Sequence, residues 1–498
     1  MRIPRSAGLL LPVFSLPGEH GIGTLGKEAY AWIDFLAEAK QTYWQLLPVG
    51  PTGFGNSPYQ SFSTFAGNPY FIDPDLLAED GLLSPDEYRG MFSDIPRDRV
   101  DYGALFLRKE PLLRKAVKRL FDAPPAGLNQ FFADASGWLE DYALFTALKR
   151  ENRGAPFWEW RAGEREGDAA ALEEARRRLS EEIRYEKGVQ YLFFTQWVRL
   201  KVYAARRGVR LFGDLPFYVS ADSAEVFFRR DEFFLDARGA PSLVAGCPPD
   251  AFSAGGQLWG NPVYRFDVMR ERGYRFWLER LSFALGMFDL LRIDHFRGFD
   301  AFYTVGAGAE DAREGTWQRG PGAELFRTAR EALGDLPLVA EDLGFVTDSV
   351  RELLRAVDIP GMKVLQFAFD SREAGDYLPY RYPMQSVVYT GTHDNDTLHG
   401  FCRHAAPQDI ERAMRYLLAE NEEMLCRNMM LAALSSVSDL AILTVQDLLG
   451  LGSEGRINTP GTQSGNWEFR LPRPLGEEEA RFLAEYTELY GRVPSASG

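Results

Sequence analysis

The chain alternates, and that alternation limits its fold more than any other feature. Eight short apolar runs recur: YWQLLPVG from Tyr43, NPYFID from Asn68, VRLFGDLPFYV from Val209, FDLLRIDHF from Phe288, LPLVAEDLG from Leu336, MKVLQFAF from Met362, SVVYTGTHD from Ser386 and LAILTVQDLL from Leu440. Most are followed by segments of helical period, such as DSVRELLRAV from Asp348 and QDIERAMRYLLAE from Gln408, and another, KEAYAWIDFLAEA from Lys27, precedes the first. The runs are apolar throughout, not at every second residue. Strands buried on both faces read this way, so the pattern predicts a parallel sheet covered by helices. Eight strands favour an α/β fold of the (β/α)8 TIM barrel type, with a doubly wound open sheet as the alternative.

The spacing is uneven. A long gap separates the run at Asn68 from the run at Val209, and much of it is charged and helix-like (GDAAALEEARRRLSEEIRYEKG from Gly167). Residues 81–190 are therefore expected to form a helical insertion. Residues 220–263, irregular and rich in Gly, Pro and aromatics, are expected to form a loop subdomain over the barrel mouth. The barrel itself would be built from 1–80 and 191–498.

Charge narrows the partners. With 56 basic against 71 acidic residues, the net charge is −15. An acidic surface repels phosphate backbones and anionic membranes, which argues against nucleic acid. No run approaches the about 18 apolar residues of a membrane span. The start, MRIPRSAGLLLPVFSLPG, has a basic, apolar beginning, but Pro12 and Pro17 interrupt it and no small-x-small cleavage site follows. The three cysteines (Cys247, Cys402, Cys426) form no C-x-x-C pair, so neither a disulfide framework nor a zinc site is expected. A cytoplasmic protein fits these features.

The chemistry gathers at strand ends. Asp214 lies in LFGDLPFY, Asp294 in LRIDHF, Glu341 and Asp342 in LVAEDLG, Asp370 ends LQFAFD, and Asp394 and Asp396 lie in YTGTHDND. In a parallel barrel these ends face one mouth. Burying unpartnered carboxylates is costly, so several strands ending this way point to a common site. Paired carboxylates are the usual machinery of glycoside chemistry. Asp294 and Glu341 fall on consecutive strands. Arg292 shares a face with Asp294 by strand alternation, and a nearby cation keeps an acid ionised. Aromatics in loops (Tyr59, Tyr102, Phe252, Trp259) offer flat apolar faces of the kind that cover pyranose rings.

Two patterns mislead. GIGTLG, Gly21–Gly26, matches G-x-G-x-x-G, but SLPGEH separates it from any strand and the next strand ends in no acid. It is expected to be a tight turn before the helix at Lys27. HDND, His393–Asp396, could ligate a metal, but no second histidine pair has ligand spacing.

Taken together, the motifs resemble a known family. GLLLPVFSLPGEHGIGTLG, SPYQSFSTFAGNPY, LFGDLPFYVSADSAEVF, GNPVY, LRIDHFRGF, VAEDLGFVT, VLQFAFD, YTGTHDNDT and INTPGTQSGNWEFRL are similar to stretches of the 4-α-glucanotransferases of glycoside hydrolase family 77, the amylomaltases or disproportionating enzymes, relatives of the α-amylases. The resemblance implies a (β/α)8 barrel and transfer of α-1,4-glucan segments with retention of configuration. It implies Asp294 as nucleophile, Glu341 as general acid/base and Asp394 as a third carboxylate on the sugar hydroxyls. It implies His295 and His393 as hydroxyl donors, Arg292 as partner of Asp294, and Tyr59, Tyr102, Asp214, Gln257, Trp259, Asp370 and Asn466 as glucan contacts. No metal or cofactor is implied, and the partners are α-1,4-glucans and maltooligosaccharides. Where the family often has an aromatic before Phe252, this chain has Ala251, which bears on acceptor choice. An α-1,4-glucan hydrolase of the α-amylase type is the alternative, and a glucan-binding protein with a dead site is the alternative from another class.

Overall fold

A computed structural model describes residues 2–494, apart from 54, 250–253, 345, 371–376 and 463. Twelve strands occur in the described residues. In chain order they are β1 Ser6–Leu10, β2 Tyr43–Gln45, β3 Arg210–Leu215, β4 Leu243–Cys247, β5 Gln257–Pro262, β6 Leu290–Ile293, β7 Ala301–Gly306, β8 Thr316–Arg319, β9 Leu338–Ala340, β10 Gly361–Val364, β11 Ser386–Tyr389 and β12 Leu440–Thr444. Eight of them form one parallel sheet in the order β10-β11-β12-β1-β2-β3-β6-β9. Helices cover its outer face, as expected for a (β/α)8 barrel. Strands β1, β6, β9, β11 and β12 are buried at every residue, which is why they lack alternation.

The seam between β9 and β10 is closed by two contacts. The Ala340 N–H donates to the Pro360 carbonyl at 2.8 Å, and the Met362 N–H donates to Asp342 Oδ1 at 2.6 Å. A Cβ at Gly361 would lie 2.4 Å from the Asp342 carboxylate, so the close approach requires glycine. Burial raises the Asp342 pKa, with Lys363 and the Met362 N–H opposing. Asp342 thus serves the barrel wall and not the mouth.

One expected strand is corrected. NPYFID is a 3-10 turn, Pro69–Phe71, because Pro69 supplies no N–H to a ladder and Asn68 caps the turn by accepting from the Tyr70 N–H. The eighth barrel strand is instead β1, SAGLL, within the apolar start MRIPRSAGLLLPVFSLPG. The expected turn at GIGTLG does precede a helix, Lys27–Glu38. Its glycines are packing devices: a Cβ at Gly23 would lie 1.8 Å from the Val13 carbonyl.

Residues 81–190 hold the helices Tyr102–Asp122, Leu128–Asp134, Leu139–Glu151, Ala162–Glu166 and Ala169–Arg178. The next helix, Ser180–Arg206, runs unbroken past 190 and ends just before β3. Its buried stripe, from Tyr185 through Leu192 and Trp197 to Ala204, serves the inserted helices first and the barrel afterwards. Residues 220–263 include the antiparallel pair β4–β5, which joins β7 and β8 in a four-stranded sheet of order β5-β4-β7-β8. This sheet was not legible as strands because its members are short and separated by barrel elements.

Candidate active site

Strand β6 ends at Ile293, and the next two residues carry the chemistry. Arg292, on the strand, is buried and faces inward. Its Nη1 donates to both Asp214 oxygens, at 2.8 and 2.7 Å, and its Nη2 donates to Asp294 Oδ1 at 2.8 Å. One guanidinium therefore joins the ends of β3 and β6. Burial disfavours the Arg292 charge, but Asp214 and Asp294 reverse this and hold its pKa well above the ordinary value. The Asp214 side chain is sealed from solvent, whereas that of Asp294 is 30% exposed, open to the mouth. Burial raises the Asp214 pKa, Arg292 opposes it, and Tyr59 donates its hydroxyl to Asp214 Oδ2 at 2.7 Å.

His295 follows in the left-handed conformation, φ 48°, which costs a non-glycine residue about 1 kcal/mol. The turn aims its N–H at Glu341 Oε2, 2.8 Å away, and the Leu343 N–H reaches Glu341 Oε1 at 2.8 Å. Glu341 stands just past β9. Burial pushes its pKa up to about 7. Asp294 adds to the rise, while Arg292 and the two N–H donors oppose it. The site thus holds one carboxylate paired with a guanidinium and one carboxyl poised to carry a proton near neutrality. That is the division of labour two-carboxylate glycoside chemistry requires.

The His295 ring packs edge-on against Trp259, with centroids 4.9 Å apart, and beside Tyr218 and Phe217. Burial depresses its pKa to about 4, with Asp294 opposing, so the ring is neutral at pH 7. Among the described residues its Nε2 is buried without a hydrogen-bond partner, and so is the Tyr218 hydroxyl. A buried polar atom of this kind calls for a partner, which water or a bound ligand supplies. Trp259 Nε1 donates to Gln257 Oε1 at 3.1 Å, so β5 delivers both residues to this wall.

The opposite wall comes from the ends of β11 and β12. Asp394 Oδ1 accepts from Asn458 Nδ2 at 2.7 Å, and its carbonyl accepts from Arg456 Nη2 at 2.7 Å. Its side chain is 45% exposed. The His393 ring stacks on Tyr59, with centroids 5.2 Å apart, and both lie beside Trp467. Trp467 is itself left-handed, φ 64°, and its carbonyl accepts from the Tyr102 hydroxyl at 2.9 Å. Asn466 Oδ1 accepts from the Thr459 N–H at 2.9 Å and fixes this loop.

Tyr59, Asp214, Arg292, Asp294, His295, Glu341, Gln257, Trp259, His393, Asp394, Asn466 and Tyr102 thus join through these contacts. Asp370 follows the 3-10 turn Leu365–Phe369, and its carbonyl accepts from Arg412 at 3.4 Å. Phe252 and Ala251 lie outside the described residues. Asp396 is spent on structure: it accepts from the Thr397 N–H and the Ser453 hydroxyl, each at 2.8 Å. Arg297 lies 4.2 Å over the Trp317 ring. Sequence reasoning passed over Trp467, Asn458, Arg456 and Tyr218, although Trp467, Asn458 and Tyr218 sit within quoted motifs.

Among the described residues, metal-type donors converge at His20, Asp73 and Asp75, whose ligand atoms lie within 4.8 Å of one another, and not at the strand-end carboxylates. Thr24 and Tyr88 already donate to the two acids. Among the described residues no helix is long and apolar enough to cross a membrane.

Comparison with known proteins places the chain. The model of one family, described as 4-alpha-glucanotransferase, matches residues 11–475. A 4-alpha-glucanotransferase of Thermus thermophilus is 46% identical over 98% of this chain and 100% of its own length. An amylomaltase from Streptococcus agalactiae, solved in complex with acarbose, superposes with a TM-score of 0.95 at 39% identity, over 98% of this chain and 99% of its own. An amylomaltase from Corynebacterium glutamicum shares the fold at a TM-score of 0.76 and 18% identity, over 98% of this chain and 74% of its own. The chain belongs to the 4-alpha-glucanotransferase family, glycoside hydrolase family 77.

Proposed function

We propose that this enzyme moves segments of α-1,4-glucan from donor to acceptor by two successive displacements at one anomeric carbon, and that Asp294, Glu341 and Asp394 carry the reaction. Glu341 gives its proton to the glycosidic oxygen while an Asp294 oxygen bonds to the anomeric carbon. The reducing-end fragment leaves. Glu341, now a carboxylate, takes the proton from the 4-hydroxyl of an incoming glucan or glucose, and that oxygen displaces Asp294. Two inversions return the original configuration.

The observation that carries this reading is the contrast between the two acids. Asp294 is held against Arg292, and Glu341 is raised to about 7 beside it. Asp394, fixed by Asn458 and open to the mouth, accepts from ring hydroxyls. His295 Nε2, His393, Gln257, Asn466 and Asp370 supply further polar contacts, and Tyr59, Tyr102, Phe252 and Trp259 supply apolar faces. On this reading the helices of 81–190 and the segment 220–263 wall a groove around the barrel of 1–80 and 191–498. Maltooligosaccharides are the substrates. Unbridged cysteines fit a cytoplasmic setting.

Water as acceptor would make the enzyme a hydrolase through the same intermediate. Incubation with maltotriose separates the two. Transfer gives glucose and a ladder of longer oligomers with no net gain in reducing ends. A steady rise in reducing ends would overturn the transferase reading.

A further inference from the structure

The cysteines form no pair in sequence, yet the fold brings two of them together. Cys402 lies in the helix Leu398–His404 and Cys426 in the helix Glu422–Ser435, and their Sγ atoms are 3.7 Å apart with both thiols free. We propose that Cys402 and Cys426 form a peroxide-responsive dithiol site, at which a hydroperoxide oxidises the two thiols to a reversible intramolecular disulfide.

Three features of the geometry support it. The sulfurs must approach by less than 2 Å to reach a bonded separation of about 2 Å. The helices are already clamped at this level: Glu422 Oε1 takes His399 Nδ1 at 2.7 Å and Arg403 Nε at 3.3 Å. The two thiols also differ in access. Cys402 is half-buried and lines an open groove of about 870 Å³ with Arg403, Pro407, Ile410, Met414 and Leu418, whereas Cys426 is buried behind it. An oxidant reaches Cys402 first, and Cys426 is in place to resolve it. Acidity runs the same way. The hydrogen bond with Cys426 lowers the Cys402 thiol below its ordinary value; burial, Glu422 and Asp447 oppose this and Arg403 assists, while the same bond pushes Cys426 up.

The steps balance. The Cys402 thiolate attacks one peroxide oxygen; the S–O bond forms, the O–O bond breaks, and the departing oxygen leaves as water (or as the alcohol of an organic hydroperoxide). The Cys426 sulfur then attacks the sulfenic sulfur; the S–S bond forms, the S–O bond breaks, and hydroxide leaves as water with the Cys426 proton. Two thiols lose two electrons and the peroxide gains them. A dithiol reductant reverses the change. Asp394 precedes the Cys402 helix by a few residues but is anchored by Asn458 and Arg456, on neither bridged helix. The bond therefore acts first on stability.

The test treats the native full-length enzyme with hydrogen peroxide, blocks the remaining thiols and maps peptides by mass spectrometry, with Cys247 as internal reference. The expected result is a cross-linked Cys402–Cys426 peptide that dithiothreitol releases. The oxidised enzyme should melt higher than the reduced one, and the difference should vanish in C402S and in C426S. In C426S a dimedone adduct should collect on Cys402. Both thiols staying reduced while Cys247 is oxidised would overturn the proposal, and so would Cys402 passing to sulfinic acid with no cross-link.

Discussion

Among single residues, one guanidinium holds the site together. Arg292 holds two carboxylates, one sealed and one facing the mouth. Removing Asp214 strips half of that clamp and leaves a buried cation short of a partner. Asp214→Ala should cost about 3–5 kcal/mol of stability, read by denaturant unfolding. Tyr59→Phe removes only one hydroxyl donor and should cost about 1–2 kcal/mol. Asp294→Asn keeps the shape and removes the attacking oxygen's charge, so kcat should fall by about 10³-fold or more while the protein stays folded.

Glu341 gives a pH signature of the same residue-scale kind. Donation to the leaving oxygen needs its proton, so kcat should fall as pH rises through about 7. The sign for stability follows from the same shift. A carboxyl raised in the folded state, from 4.5 to about 7, favours folding while protonated, and that contribution fades as pH climbs through the interval. Glu341→Gln cannot ionise. Its melting temperature relative to the parent should therefore rise between about pH 4.5 and pH 7 and level off above. A difference that stays flat across that interval would contradict a raised Glu341.

At the element scale, similar acids do different work. Asp294 and Glu341 follow their strands into the mouth, while Asp342, one residue beyond Glu341, turns outward and ties β9 to β10. Asp342→Ala should destabilise by about 1–3 kcal/mol, yet leave kcat/KM for maltotriose nearly unchanged. Sequence pattern does not separate these cases. Neighbours in a strand point to opposite faces, but which face meets the mouth depends on where the strand stops. The strand at Ser6 was hidden for a related reason: its run continues into Pro12 and reads as a leader. The turn at Asn68 looked like a strand until Pro69 and its cap were seen in place. The strand-end acids were legible because burying charge needs a reason. The place of Trp467 was not, although its motif was, since a left-handed backbone sets its ring beside Tyr59 and His393.

At the scale of the molecule, the barrel supplies acids and the additions supply walls. β5, from the antiparallel sheet, carries Trp259 to His295, and the helix Tyr102–Asp122 reaches Trp467 through one hydroxyl. Neither wall touches the Arg292 clamp in these contacts. Trp259→Ala should therefore raise KM for maltooligosaccharides by about tenfold or more and change kcat less, which steady-state kinetics on a size series of donors would show. A matching fall in kcat would mean that the wall shapes the reacting carbon as well as holding sugar.

On the proposed mechanism a sugar becomes bonded to one oxygen of Asp294. A glycosyl fluoride donor fluorinated on the ring, which forms the intermediate faster than it is released, should accumulate the covalent enzyme. Proteolysis and mass spectrometry should then find the sugar on the LRIDHFRGF peptide at Asp294, and preincubation with maltooligosaccharide should prevent it. Label on any other residue, or an inactivated enzyme with no labelled peptide, would contradict the account.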